Sequence, residues 1–168
     1  MKSTPIRQVE GAYLYELDRH KDQRGFFEEV YSVNRNFELN IRQVNISHSS
    51  RWVVRGLHVA PFAKLCMCVR GKLFDVVADV RPNSPTYLGW YGVWLSPEEP
   101  KQLYVPEGCA HGFFAAENNT VLLYMQGDVY DPNIGQEVHW RDPKLAIDWP
   151  AATRYTLSEK DAQAECLP

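Results

Sequence analysis

Leu73-Phe74-Asp75-Val76-Val77-Ala78-Asp79-Val80 is the stretch on which the reading of the fold turns. Phe74, Val76, Ala78 and Val80 fall on one side, and Leu73, Asp75, Val77 and Asp79 on the other, which is the period-two pattern of a β-strand. Apolar residues occupy both sides, so the strand is expected to be buried, and its two acids then need partners. Arg70-Gly71 precedes it and Arg81-Pro82-Asn83-Ser84-Pro85 follows, both composed of residues that favour chain reversal. Working outward, the same alternation of apolar runs and turn formers predicts strands at 41–47, 65–69, 87–95, 102–105, 120–125 and 137–140. Further reversals are expected at Ser96-Pro97-Glu98-Glu99-Pro100 and Glu117-Asn118-Asn119. Helical signals are sparse: a short turn at 34–39, and a helix at 158–164 opened by Ser158 as capping residue. The expected fold class is all-β, a jelly roll with a central cavity and a few short helices, including a C-terminal one.

Composition bounds the function. A chain of 168 residues, 45% of them apolar and with five Trp, nine Tyr and seven Phe, can bury one sizeable core, so residues 1–168 are expected to form a single domain. The net charge of -3 supplies no overall basic field for nucleic acid or an anionic membrane. An anionic ligand would have to be held by a local pocket. Met1-Lys2-Ser3-Thr4-Pro5 leads into no apolar signal core, and no apolar run approaches the roughly 20 residues needed to span a bilayer. A cytoplasmic location with reduced cysteines is expected. Cys66-x-Cys68 lies in Leu65-Cys66-Met67-Cys68-Val69, where the one-residue spacing fits a buried strand and not a zinc pair.

Five histidines are the natural candidates for proton transfer near neutral pH, and two stand in informative surroundings. His58 closes Arg55-Gly56-Leu57-His58, in which the glycine allows close backbone approach to a ligand and Arg55 suits an anionic group. His111 closes Pro106-Glu107-Gly108-Cys109-Ala110-His111. Either one alone reads first as a hydrogen-bonded structural histidine, and their joint appearance in glycine-flanked settings weakens that reading. Between His58 and Gly71 there is no second histidine and no acid, so the usual three- or four-ligand metal site is not available and no metal is expected.

The Pro-x-Gly-x-x-His pattern ending at His111 resembles the second motif of cupins. Over nearly its full length the sequence resembles the family of dTDP-4-dehydrorhamnose 3,5-epimerases and related deoxysugar epimerases. The resemblance is carried by an ordered series: Asp22-Gln23-Arg24-Gly25-Phe26-Phe27-Glu28-Glu29, Gln43-Val44-Asn45-Ile46-Ser47, Arg55-Gly56-Leu57-His58, Lys64-Leu65, Asp79-Val80-Arg81 with Ser84-Pro85-Thr86, Pro106 to Phe113, Tyr130-Asp131-Pro132, Trp140-Arg141-Asp142 and Ile147-Asp148-Trp149-Pro150. It implies a cupin-type jelly roll, a homodimer, no cofactor, and epimerisation of a nucleotide-diphosphate 4-keto-6-deoxy sugar at C3, C5 or both. By the same resemblance His58 is the general base, Asp161 the acid that holds its imidazole, Tyr124 the acid on the opposite face of the sugar, and Lys64 the cation beside the ketone oxygen. Arg24, Glu29, Gln43, Asn45, Arg55, His111 and Lys160 fall on positions that hold sugar or nucleotide diphosphate, and Tyr130 on a stacking position.

The chemistry needs these residue types. A proton beside a ketone is weakly acidic, so its removal calls for a base tuned near neutrality and for electrostatic relief of the forming oxyanion. Inversion calls for a proton donor facing the base across the ring, and a tyrosine hydroxyl can donate and recover its proton. Two departures from the family pattern stand out: the short, proline-stiffened segment Val59-Ala60-Pro61-Phe62-Ala63 between His58 and Lys64, and Gly135 with Glu137 where a glutamate is usual before Trp140. They bear on which sugar is accepted, with other nucleotide-linked 4-keto sugars, including heptoses, beside dTDP-4-dehydro-6-deoxyglucose. Two other readings share the scaffold, a ketoisomerase acting through the same enolate and a sugar-binding cupin without turnover.

Overall fold

The computed structural model describes residues 1–34, 39–131 and 133–168, and most of the turn expected at 34–39 lies outside them. In chain order the strands are β1 (Lys2–Pro5), β2 (Tyr13–Glu16), β3 (Arg19–Asp22), β4 (Gly25–Glu28), β5 (Gln43–Ser49), β6 (Val54–Val59) and β7 (Lys64–Arg70). They continue as β8 (Leu73–Ala78), β9 (Trp90–Leu95), β10 (Lys101–Val105), β11 (Ala110–Ala115), β12 (Thr120–Gln126) and β13 (Gln136–Glu137), followed by the helix α1 (Glu159–Ala162). One sheet runs β1-β2-β10-β7-β12-β5, a second runs β13-β6-β11-β8-β9, and β3 and β4 form a separate hairpin. The all-β expectation holds.

The alternation that opened the sequence reading now has a physical meaning. Leu73 and Val77 join Cys66, Cys68, Leu103 and Leu122 of the six-stranded sheet in the core between the sheets. The opposite side of β8, with Phe74, Val76 and Ala78, packs under the C-terminal segment through Val138, Trp140, Leu145 and Trp149. Asp79 finds its partners in the next turn, where Arg81, Ser84 and Thr86 all donate to it. Burial raises its pKa, but these bonds more than offset that and hold the carboxyl below its ordinary range. The strand expected at 87–95 starts only at Trp90, because Leu88 and Gly89 bond back to the backbone of Asp79. The strand expected at 137–140 is reduced to Gln136–Glu137, and the helix expected at 158–164 to Glu159–Ala162.

β6 and β11 escape the sequence pattern because each is interrupted by a glycine. Gly56 has φ +117°, and a Cβ there would lie 2.7 Å from both Gly112 Cα and His111 O. A Cβ on Gly112 would in turn meet Arg55 O at 2.6 Å. The glycine before His58 therefore serves close approach of β6 to β11, and not of backbone to ligand as the sequence suggested. This contact sets His58 and His111 opposite one another in register.

Candidate active site

His58 sits on β6, and its Nε2 lies 2.8 Å from Asp161 Oδ1. Asp161 belongs to α1, which begins at Ser158; that hydroxyl accepts from the Asp161 N–H in the manner of an N-cap. The second Asp161 oxygen accepts the Gly56 N–H at 3.2 Å. Burial pushes the Asp161 pKa up, but the bonds from His58, Gly56 and Ser158 outweigh it, so the carboxyl stays ionised below its usual range. An ionised Asp161 accepts the Nε2–H and leaves Nδ1 of His58 as the basic nitrogen. The His58 side chain is 44% exposed and Asp161 only 5%, so the imidazole is accessible while the carboxylate bonded to it is not. Asp142, another acid near the C-terminal segment, is engaged elsewhere: it accepts the backbone N–H groups of Lys144, Leu145 and Leu167.

His58, Lys64 and Tyr124 line a cavity of about 280 Å³, which Phe62, Tyr130, Ile134, Glu137 and Lys160 also border. The same three residues border an adjoining inner recess with Arg55, His111 and Phe113. β7 and β12 place Lys64 and Tyr124 on one sheet, facing His58 and His111 of the other. Burial lowers the Lys64 pKa, partly countered by Cys66 and Asp75. Burial, with a smaller push from Cys66, raises that of Tyr124, which favours the proton-carrying phenol. Arg55 is held by Ser49 Oγ at 3.1 Å and by the carbonyl of His48 at 3.1 Å.

The remaining sequence candidates divide. Lys160 is at the cavity rim, ion-paired with Glu137, and Tyr130 is there too, its N–H donating to Gln43 Oε1. Gln43 donates to Asn45, which donates to Gln126 of the cavity wall, so both stand one step behind the lining. Arg24 and Glu29 are not brought together with His58. Arg24 is 85% exposed on the β3–β4 hairpin, paired with Asp22, and borders a separate hollow with Phe26 and Phe27. What sequence reading missed is the partner of His111: its Nε2 lies 2.8 Å from Oδ1 of the fully buried Asp75. The signal was the acid on a buried strand face; the pairing itself required the register of β8 with β11.

The chain as a whole is similar to known proteins. Residues 7–168 match the family described as dTDP-4-dehydrorhamnose 3,5-epimerase. A dTDP-4-dehydrorhamnose 3-epimerase of Streptomyces niveus is 41% identical over 168 residues, covering 95% of this chain and 81% of that one. A dTDP-4-dehydrorhamnose 3,5-epimerase of Methanothermobacter thermautotrophicus is 38% identical over 162 residues, covering 91% and 88%. Among solved structures, a dTDP-6-deoxy-D-glucose-3,5-epimerase of Legionella pneumophila in complex with dTDP-4-keto-L-rhamnose superposes with a TM-score of 0.93 at 35% identity, covering 98% and 92%.

Proposed function

The chain belongs to the dTDP-4-dehydrorhamnose 3,5-epimerase family, and from that premise we propose that it epimerises a dTDP-linked 4-keto-6-deoxy sugar by acid–base chemistry alone. The observation that carries the reading is that the His58–Asp161 pair opens onto the same cavity as Lys64 and Tyr124. Nδ1 of His58 takes the proton from the carbon beside the ketone, and the electron pair moves onto the ketone oxygen as an enolate. The Lys64 ammonium stabilises that oxygen, while Asp161 stabilises the imidazolium and fixes its tautomer. Tyr124 returns a proton from the opposite face, which inverts the centre. Arg55, His111 and Lys160 supply the local positive charge and donors that the net charge does not.

Incubation with dTDP-4-keto-6-deoxyglucose in heavy water should introduce solvent deuterium beside the ketone. A protein that exchanges neither C3 nor C5 would end this reading. The position of the label separates inversion of one centre, the activity in the name of the Streptomyces niveus relative, from inversion of two. Sugar without exchange but with binding would instead mark a non-catalytic pocket.

We further propose a homodimer. Arg24 and Glu29, assigned to substrate by resemblance, lie outside the cavity of their own chain, so they would serve the cavity of a second copy. Val44 and Ile46 on edge strand β5, with Phe26 and Phe27 on the hairpin, leave apolar surface for such a contact. Sedimentation at micromolar concentration tests it, with a monomer as the contrary result. The four cysteines are free, which suits a cytoplasmic location; among the described residues no helix is long and apolar enough to cross a membrane.

A further inference from the structure

We infer that Cys66, Asp75 and His111 form a buried binding site for a soft divalent cation such as zinc, set into the floor of the inner recess. The three residues come from β7, β8 and β11, that is, from both sheets, and one ligand atom of each lies within 4.8 Å of the others. All three are buried. One Asp75 oxygen is bonded to His111, while the other accepts no hydrogen bond from any described residue. Leaving a buried acceptor unpaired is costly, the more so if it is charged. A cation in the cluster removes that cost.

The donor set suits zinc. Thiolate, carboxylate and imidazole are its ordinary ligands; the ion replaces the Cys66 thiol proton, which is released to solvent on binding, and the resulting thiolate and the Asp75 carboxylate would match its charge. Bonds of about 2.0–2.3 Å put the ligand atoms of a tetrahedral site about 3.5 Å apart. Closing from a spread of 4.8 Å therefore takes only about an ångström of side-chain movement. Cys68, two residues on, cannot substitute: its Sγ donates to the carbonyls of Arg70 and Gly71. The entry path is the recess itself, since His111 lines it together with His58, Lys64 and Tyr124. Short Cys-x-Cys spacing gave no hint of this site, because the sheets, and not the local sequence, gather the ligands.

The consequence for turnover rests on the proposed function. An ion held by His111 engages a residue assigned to the substrate and adds positive charge where the sugar should sit, so zinc should inhibit. The binding itself is independent of that reading and is tested separately. Metal-stripped, full-length protein is titrated with Co²⁺, followed by the thiolate-to-cobalt charge-transfer absorption, and then with Zn²⁺ to displace it. The expected result is a band saturating at about one equivalent per chain, lost in Cys66→Ala and Cys66→Val but kept in Cys166→Ala. Turnover in the two Cys66 variants should persist and no longer respond to zinc. No band, or a band that survives both Cys66 substitutions, overturns the site. A chain without proton exchange on any sugar would remove the enzyme reading and leave the cobalt result to stand by itself.

Discussion

His58–Asp161 and His111–Asp75 are two imidazole–carboxylate pairs with the same 2.8 Å contact, and the register of β6 with β11 places their histidines side by side. Their surroundings differ. His58 is 44% exposed and its acid has both oxygens bonded, whereas His111 is 9% exposed and one oxygen of Asp75 has no partner among the described residues. A base must reach its substrate and be oriented without ambiguity; the first pair meets both demands. The second has a free acceptor in a buried setting, which suits holding a ligand or an ion. The same contact can thus serve different chemistry, depending on access and on whether the acid is satisfied.

The largest test of that contrast is His58→Asn, which should lower proton exchange by about 10²–10⁴-fold while leaving the thermal midpoint nearly unchanged. Deuterium exchange near the wild-type rate would move the base elsewhere, with His111 the next candidate. Asp161→Asn should cost on the order of 10²-fold in kcat, because the amide can select the wrong imidazole tautomer. If Asp75→Asn costs as much in kcat, the distinction between the pairs fails; we expect about tenfold or less, appearing mainly in KM.

Smaller effects come from pH. Burial holds Lys64 below the ordinary 10.5, so the basic limb of kcat should fall below that value, and Lys64→Arg should shift it upward because guanidinium does not titrate there. The Asp161 carboxyl is held below 3.8 when folded, so its stabilisation is present above pH 3.8 and is lost as pH falls through the folded value. Asp161→Asn should accordingly flatten the acid limb of stability measured by urea unfolding, and an unchanged limb would show that the pair contributes nothing there.

Much of the architecture was legible in the chain. β8 declared itself through the alternation of its side chains between turn formers, β7 through a continuous apolar run, and Ser158 marked the start of α1. β6 and β11 did not, since Gly56 and Gly112 interrupt their patterns for the sake of backbone contact between them. The hairpin strands β3 and β4 were also missed: their residues are mostly exposed and carry no apolar alternation. Of the site, His58 was visible as a glycine-flanked histidine, but nothing local joins it to Asp161, 103 residues away.

By itself the sequence determined the fold class, through alternation and turn chemistry, and the kinds of side chain available for moving a proton. Those are local properties, fixed by backbone sterics and by the identity of each residue. Only the tertiary structure decided which acid meets which histidine, which histidine faces the cavity, and that Cys66 joins Asp75 and His111. Such pairings depend on strand register and on two sheets closing over one core, and short-range pattern carries no information about either.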